Sequence, residues 1–225
     1  MGRIIGILGG MGPQATVDLM QWIIKLSKVE READYPRVLV DNNPAIPDRT
    51  EAILYGGENP VPVLRSMLKG LVEAGAEIIG MPCNTVHYFI DEIREGFEVE
   101  IVDMLAETAA EVRQRKFQTV GLLGTTGTLK TGIYEKYLTD VEVVLPTSEE
   151  MELLMEMIYS VKRGEIVPQE RLNHIITKMN QRKKLDGVIL GCTELPLIAK
   201  DQSLEPVLIN PTAILAQKLV ELSQG

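Results

Sequence analysis

Ile5-Gly6-Ile7-Leu8-Gly9 returns 115 positions on, from Gly6 to Gly121, as Val120-Gly121-Leu122-Leu123-Gly124. At the same offset Gly12 falls on Gly127 and Thr16 on Thr131, so an apolar run, a glycine turn and a helix start are all repeated. A second pair lies downstream. Ile78-Ile79-Gly80-Met81-Pro82-Cys83-Asn84-Thr85 is echoed by Val188-Ile189-Leu190-Gly191-Cys192-Thr193-Glu194, which sets Cys83 against Cys192 at an offset of 109. Short apolar runs closed by turn residues read as buried strands. Each half thus carries a glycine turn after its first strand and a cysteine turn after a later one. Two similar lobes facing each other across a cleft, with one thiol per side, follow from that arrangement.

Outward from the repeat, strand-length runs alternate with segments of helical period, the pattern of an α/β fold with mostly parallel sheets flanked by helices. The strands are expected at Arg3–Leu8, Val38–Asp41, Glu77–Met81, Glu100–Val102, Thr119–Leu123, Glu142–Leu145, Gly187–Leu190 and Val207–Ile209. Helices are expected at Gln14–Val29, Val61–Glu73, Val86–Glu95, Met104–Arg115, Thr131–Tyr137, Glu149–Val161, Gln169–Gln181 and Thr212–Leu222. Met151, Leu153, Leu154, Met155 and Ile158 read as a core-facing stripe on one of them. The N-terminal lobe takes residues 1–103 plus 210–225 and the second lobe 104–209. In such folds ligands bind beyond the carboxyl ends of the strands.

Composition narrows the function. Hydrophobic residues are 45% and charged residues 24% of the chain, the usage of an ordinary globular protein. With 23 basic against 32 acidic residues the net charge is −9, which offers no basic footprint for a nucleic acid or an anionic membrane. The glycine-interrupted N-terminus is not a signal peptide, Gly6 spoils a myristoylation signal at Gly2, and no apolar run approaches the ~20 residues of a membrane span. A cytoplasmic setting is expected, where two cysteines are more at home as thiols than as a disulfide.

Two opposed thiols suit one kind of chemistry well. Inverting a carbon that bears an acidic hydrogen needs one base to remove the proton and a second group to return one on the other face. With a reference pKa of ~8.5 a thiol serves in both roles, and a helix N-terminus lowers that value. The Cys-Asn-Thr and Cys-Thr-Glu segments read as strand-to-helix turns, where backbone N–H groups hold a carboxylate and favour thiolate.

These residues resemble the aspartate/glutamate racemase family, and its aspartate racemase branch in particular. The resemblance runs end to end. It is carried by Gly9-Gly10-Met11-Gly12-Pro13, Pro47-Asp48-Arg49-Thr50, Pro82-Cys83-Asn84-Thr85-Val86-His87, Gly124-Thr125-Thr126-Gly127-Thr128 and Gly191-Cys192-Thr193-Glu194. It implies an isomerase that works without pyridoxal phosphate (PLP) or any other cofactor, a homodimer, and a small acidic amino acid as its partner. It further implies Cys83 and Cys192 as the acid/base pair, with Asn84, Thr85 and Thr193 holding the substrate's α-carboxylate and amino group. Met11, Thr125, Thr128 and Glu194 join the expected substrate site from the same motifs. Relatives that lose one cysteine become one-sided or catalyse other reactions, so the intact pair points to racemisation. For the distal carboxylate the family pattern implies Arg49 with a lysine of the second lobe, carried here onto Lys162; Arg163 is its neighbour and competitor. Racemisation of L- and D-aspartate is the expectation, with glutamate, hydantoins and maleate as other substrates.

Each residue also has a plainer reading. A cysteine at the end of a strand is commonly inert packing, but the duplicated context argues for catalysis. Cys83 and His87 stand at helical spacing for a metal, yet zinc wants three or four ligands, so no metal site is expected. The Gly9–Gly12 loop lacks the G-x-G-x-x-G order of a nucleotide fingerprint. Glu194 either tunes Cys192 or caps the following helix, and Arg49 either binds substrate or pairs with Asp48 or Glu51 at the surface. Two other protein classes stay open: a non-catalytic amino-acid-binding protein, and a switch in which Cys83 and Cys192 form a reversible disulfide.

Overall fold

A short apolar strand satisfies its backbone only beside other strands, and the repeat achieves this twice. The computed structural model describes residues 2–199 and 205–225. Its first half runs β1 (Ile5–Gly9), α1 (Pro13–Leu26), β2 (Val38–Asn42), α2 (Arg49–Leu54), α3 (Val61–Glu73), β3 (Ile78–Gly80), α4 (Ile90–Arg94), β4 (Glu100–Ile101) and α5 (Met104–Gln114). The second half runs β5 (Thr119–Gly124), α6 (Thr126–Lys130), β6 (Glu142–Val144), α7 (Ser148–Lys162), α8 (Gln169–Arg182), β7 (Gly187–Gly191), α9 (Leu195–Ile198), β8 (Val207–Ile209) and α10 (Pro211–Gln224).

The strands form two four-stranded sheets of identical order, β2-β1-β3-β4 and β6-β5-β7-β8. Every pairing is parallel, with Ile5 opposite Val38 and Ile78 in the first sheet and Val120 opposite Val143 and Gly187 in the second. The repeated segments are the two central strands of each sheet. All five residues of β1 and of β7 are buried, as parallel strands covered on both faces require.

Helices cover both faces of both sheets. In the first lobe Leu64, Leu68 and Leu71 of α3 pack with Ile90 and Ile93 of α4, while Leu19 and Ile23 of α1 pack with Leu215 and Leu219 of α10. In the second, Leu154 and Ile158 of α7 meet Ile175 and Met179 of α8, and Leu105, Ala109 and Val112 of α5 cover the other face. Helix α5 serves both lobes, since Met104 at its start belongs with Ile5 and Ile7 while the rest packs on Val120 and Leu122. The C-terminal α10 lies against α1, α5 and β3.

Four local expectations are corrected. The helix expected at Thr131–Tyr137 stands earlier, as α6, because the Thr125 hydroxyl caps it by accepting from Thr128 N–H and the chain turns at Gly132 with φ +63°. The single helix expected at Val86–Glu95 begins instead as a 3-10 turn, Thr85–Phe89. There the Cys83 carbonyl that an α-helix would offer to His87 N–H lies 2.8 Å from the His87 ring Nδ1, and His87 N–H bonds Asn84 O instead. Short helices α2 and α9 were not expected; α2 starts where Asp48 accepts from Thr50 and Glu51 N–H. The buried stripe of α7 is Leu154, Met157, Ile158 and Val161, whereas Leu153 is exposed and Met155 half-buried.

Helix α7 matters because its last turn carries Lys162. Its start is fixed by a capping box: Thr147 Oγ1 accepts from Glu150 N–H and Glu150 Oε2 accepts from Thr147 N–H. The same carboxylate takes both Nη groups of Arg182 on α8, at 2.6 and 2.7 Å. The Arg182 guanidinium holds the Glu150 carboxyl below its usual range. A depressed carboxylate contributes stability that is present above its unfolded value, near ~4.3, and is lost as pH falls through the folded value. Glu150→Gln is therefore expected to cost about 1–2 kcal/mol in urea unfolding at neutral pH, half-exposed Arg182 keeping the figure modest, and that cost should vanish as pH falls through the folded value.

Candidate active site

The carboxyl ends of the central strands meet in one tight cleft. Met11 follows β1 and Cys83 follows β3 from one lobe; Thr125 follows β5 and Cys192 follows β7 from the other. Arg49, Asn84, Thr85, Lys162, Thr193 and Glu194 complete the expected lining, and Asp48 and Thr50 join it. Of the residues expected in the substrate site, Thr128 stands back from the wall. It is fully buried behind Thr85 and Thr125, with hydroxyl separations of 2.9 and 3.2 Å.

The lobes approach closely here because Gly127 allows it, whereas a side chain at its equivalent Gly12 would make an ordinary contact. A Cβ on Gly127 would stand 2.8 Å from Thr50 Oγ1 and 3.0 Å from Thr85 Cγ2 of the first lobe; one on Gly12 would meet Glu194 Oε1 of the second at 3.4 Å. Hydrogen bonds then lock the ends together. Thr85 Oγ1 lies 3.0 Å from Thr125 Oγ1, and Tyr134 donates its hydroxyl to Asn84 Oδ1 at 2.5 Å. Tyr137 donates to Asp103, the cap of α5.

Cys83 and Cys192 are both free thiols and both buried. Cys83 is positioned through His87, whose ring is buried. His87 Nε2 accepts from Met104 N–H at 3.2 Å, so Nδ1 carries the proton and donates to the Cys83 carbonyl. Burial holds the His87 pKa down, which keeps the ring in this neutral tautomer. Both ring nitrogens are thus engaged with backbone, and the His87 ring has no free lone pair to offer a metal.

Cys192 is held differently. Its Sγ–H donates to Glu194 Oε2 at 3.0 Å, and the Thr193 hydroxyl donates to the same oxygen at 3.3 Å. Glu194 does not cap α9 with its side chain, which settles that competing reading. Burial first, and then the Glu194 carboxylate, push the Cys192 thiol well above its ordinary pKa, against the pull of Lys162. The expectation that the turn would favour thiolate is overturned for Cys192: a buried thiol next to a carboxylate stays protonated.

Two cations face the thiols. Arg49 is only 7% exposed and makes no ion pair among the described residues, so the surface salt bridge considered for it is excluded. Its Nη1 donates to the carbonyls of Ile46 and Pro47, and its Nε is buried without a partner. Lys162 is also without an ion pair among the described residues. Burial opposes its charge, but Glu194 and Cys192 outweigh burial and the repulsion of Arg49, and its pKa is raised. Arg163 points away, held by both oxygens of Glu165 and by Ser160, and does not line the cleft. Asn84 Nδ2 is a further buried donor with no partner.

Sequence reasoning missed Asp48 and Thr50 as lining residues, and Tyr134 and Tyr159 as residues that hold the lobes. Tyr159 had a signal, three residues before Lys162 on the same helix face; Tyr134 had none.

The chain belongs to the Asp/Glu/Hydantoin racemase family, whose model matches residues 8–219. It is 25% identical over 222 residues to the broad specificity amino-acid racemase RacX of Bacillus subtilis (strain 168), covering 96% of each chain. The structure of Picrophilus torridus aspartate racemase superposes with a TM-score of 0.90 at 31% identity, over 99% of this chain and 94% of that one. An aspartate racemase homologue from Pyrococcus horikoshii OT3 gives 0.81 at 31% identity, over 99% and 100%. The chain, with its two-lobe fold, is thus an amino-acid racemase, an isomerase. Among the described residues no helix is long and apolar enough to cross a membrane.

Removing the Glu194 charge should lower the Cys192 pKa. In a Cys83→Ala background, Glu194→Gln is expected to move the ultraviolet thiolate titration of Cys192 to lower pH; an unmoved or higher midpoint would show that the carboxylate does not hold the proton on sulfur.

Proposed function

We propose that this racemase interconverts L- and D-aspartate, using Cys83 and Cys192 as opposed acid/base thiols and no PLP. The observation that carries the reading is that both thiols reach one small cleft from equivalent positions of opposite lobes. The cleft is tight and lined mostly by polar and charged side chains, which suits a small polar acid.

With its proton on sulfur, Cys192 is the donor in this state, which leaves Cys83 as the base. The Cys83 thiolate takes the α-proton from one face and the electron pair moves into the α-carboxylate. The Cys192 S–H then delivers its proton to the opposite face, ending as thiolate while Cys83 ends as thiol. The other enantiomer runs the same steps in reverse. Charge on the α-carboxylate is met by the buried Asn84 Nδ2, which has no other partner, and by the buried hydroxyl of Thr85, while the Thr193 hydroxyl can join them only by leaving Glu194.

Aspartate is favoured by the cations. Arg49 and Lys162 repel each other inside the cleft, and a second carboxylate on the substrate relieves that repulsion as it binds. The structures of Picrophilus torridus aspartate racemase and of an aspartate racemase homologue, matched at TM-scores of 0.90 and 0.81, support the same choice. The lobe boundaries at 104 and 210, the homodimer and the cytoplasmic setting belong to the same proposal. The packing of α10 on α1 supports the return of the chain to the first lobe.

Assayed without added PLP or metal, the wild-type protein should racemise both enantiomers of aspartate, and Cys83→Ala and Cys192→Ala should each lose about 10³-fold or more of that rate. Full racemisation by either single variant would contradict the two-thiol reading.

A further inference from the structure

We infer that Tyr159 is a positioning residue that sets the length of acid the cleft accepts, by tying its two cations together across the lobes. The inference rests on the proposed reading of Arg49 and Lys162 as the distal-carboxylate site. Tyr159 and Lys162 stand one turn apart on α7, and the Lys162 ammonium lies 5.3 Å from the Tyr159 ring centroid. That contact holds the flexible lysine by a cation–π attraction. At its other end the Tyr159 hydroxyl donates to Asp48 Oδ2 of the first lobe, a long bond of 3.4 Å.

Asp48 connects this bond to the other cation. Its Oδ1 caps α2 by accepting from Thr50 and Glu51 N–H, and Arg49 is the first residue of that helix. Arg49 is anchored in turn on the carbonyls of Ile46 and Pro47, which directly precede Asp48. One side chain from the second lobe thus contacts Lys162 through its ring and, through its hydroxyl, the turn that carries Arg49. Burial and the Asp48 carboxylate raise the Tyr159 pKa, so the hydroxyl keeps the proton it donates.

Tyr159 also stands where added length would have to go. Outside the cleft it lines a groove of about 940 Å³ together with Tyr55, Met151 and Met155, and Thr50 lines both spaces. A tethered ring keeps the cations at one spacing and closes the inner cleft against that groove. An untethered one lets the spacing vary and admits a longer acid.

The test compares kcat and KM for aspartate and glutamate in wild type, Tyr159→Phe, Tyr159→Leu and Arg49→Leu, with urea midpoints to confirm folding. Tyr159→Phe keeps the ring and loses only the tether. It should raise KM for the preferred acid about fivefold, leave kcat within about twofold, and narrow the discrimination between the two acids by a similar factor. Tyr159→Leu should do more of the same. Unchanged KM and discrimination in Tyr159→Phe, or equal falls in kcat on both acids, would overturn the inference. Arg49→Leu separates the two levels. If it leaves the aspartate KM unchanged, the distal-carboxylate reading itself fails; if it raises KM while Tyr159→Phe does nothing, only the role of Tyr159 fails.

Discussion

Everything in this molecule depends on two sheets presenting their carboxyl ends to each other at a separation fixed by buried hydroxyls. Thr85 of one lobe bonds Thr125 and Thr128 of the other, and all three are buried. Each such bond is worth only about 1 kcal/mol net, but a buried hydroxyl left without a partner costs as much or more, so a shifted arrangement of the lobes is penalised at three places at once. Gly127 permits the approach by having no Cβ, and the Tyr134 hydroxyl repeats the lock on Asn84, the neighbour of Cys83. The thiols inherit their placement from this contact.

Charge is used in two opposite ways. Glu150 and Arg182 are paired through two short hydrogen bonds, and that pair helps to hold α7 on α8. At the other end of α7, Lys162 faces Arg49 with no ion pair for either among the described residues, and Arg49 works against the Lys162 charge. Buried charges left unmatched cost stability, and they persist where a ligand supplies the missing partner. Glu194 is the counterweight. It favours the Lys162 ammonium and also keeps the Cys192 proton on sulfur, so one carboxylate prepares both a binding group and an acid.

The repeat made the architecture legible: matching apolar runs and glycine turns specify two sheets of one order, and strand ends specify where ligands meet. Cys83 and Cys192 were readable because they close the repeated strands, Arg49 because it follows a Pro-Asp turn, and Lys162 only through the family resemblance. What could not be read was set by side chains acting at a distance in sequence. The 3-10 turn after Cys83 exists because the His87 ring occupies a backbone carbonyl, and periodicity carries no trace of that. The protonation of Cys192 likewise depends on burial and on where the Glu194 carboxylate points, whereas turn position alone argued for the opposite shift. Thr128 was placed on the wall by its motif, but it backs the wall, because the cap of α6 turns its hydroxyl toward Thr85.

The central claim is that one thiol removes the α-proton and the other returns a different proton. The most direct measurement is the isotopic content of both aspartate enantiomers during the first few per cent of conversion of the protiated L-isomer in D2O. The account predicts that the D-aspartate formed carries deuterium at the α-carbon while the remaining L-aspartate stays protiated, because the donor thiol has already exchanged with solvent. D-aspartate that retains the original α-proton would mean a single base serving both faces, and would contradict it.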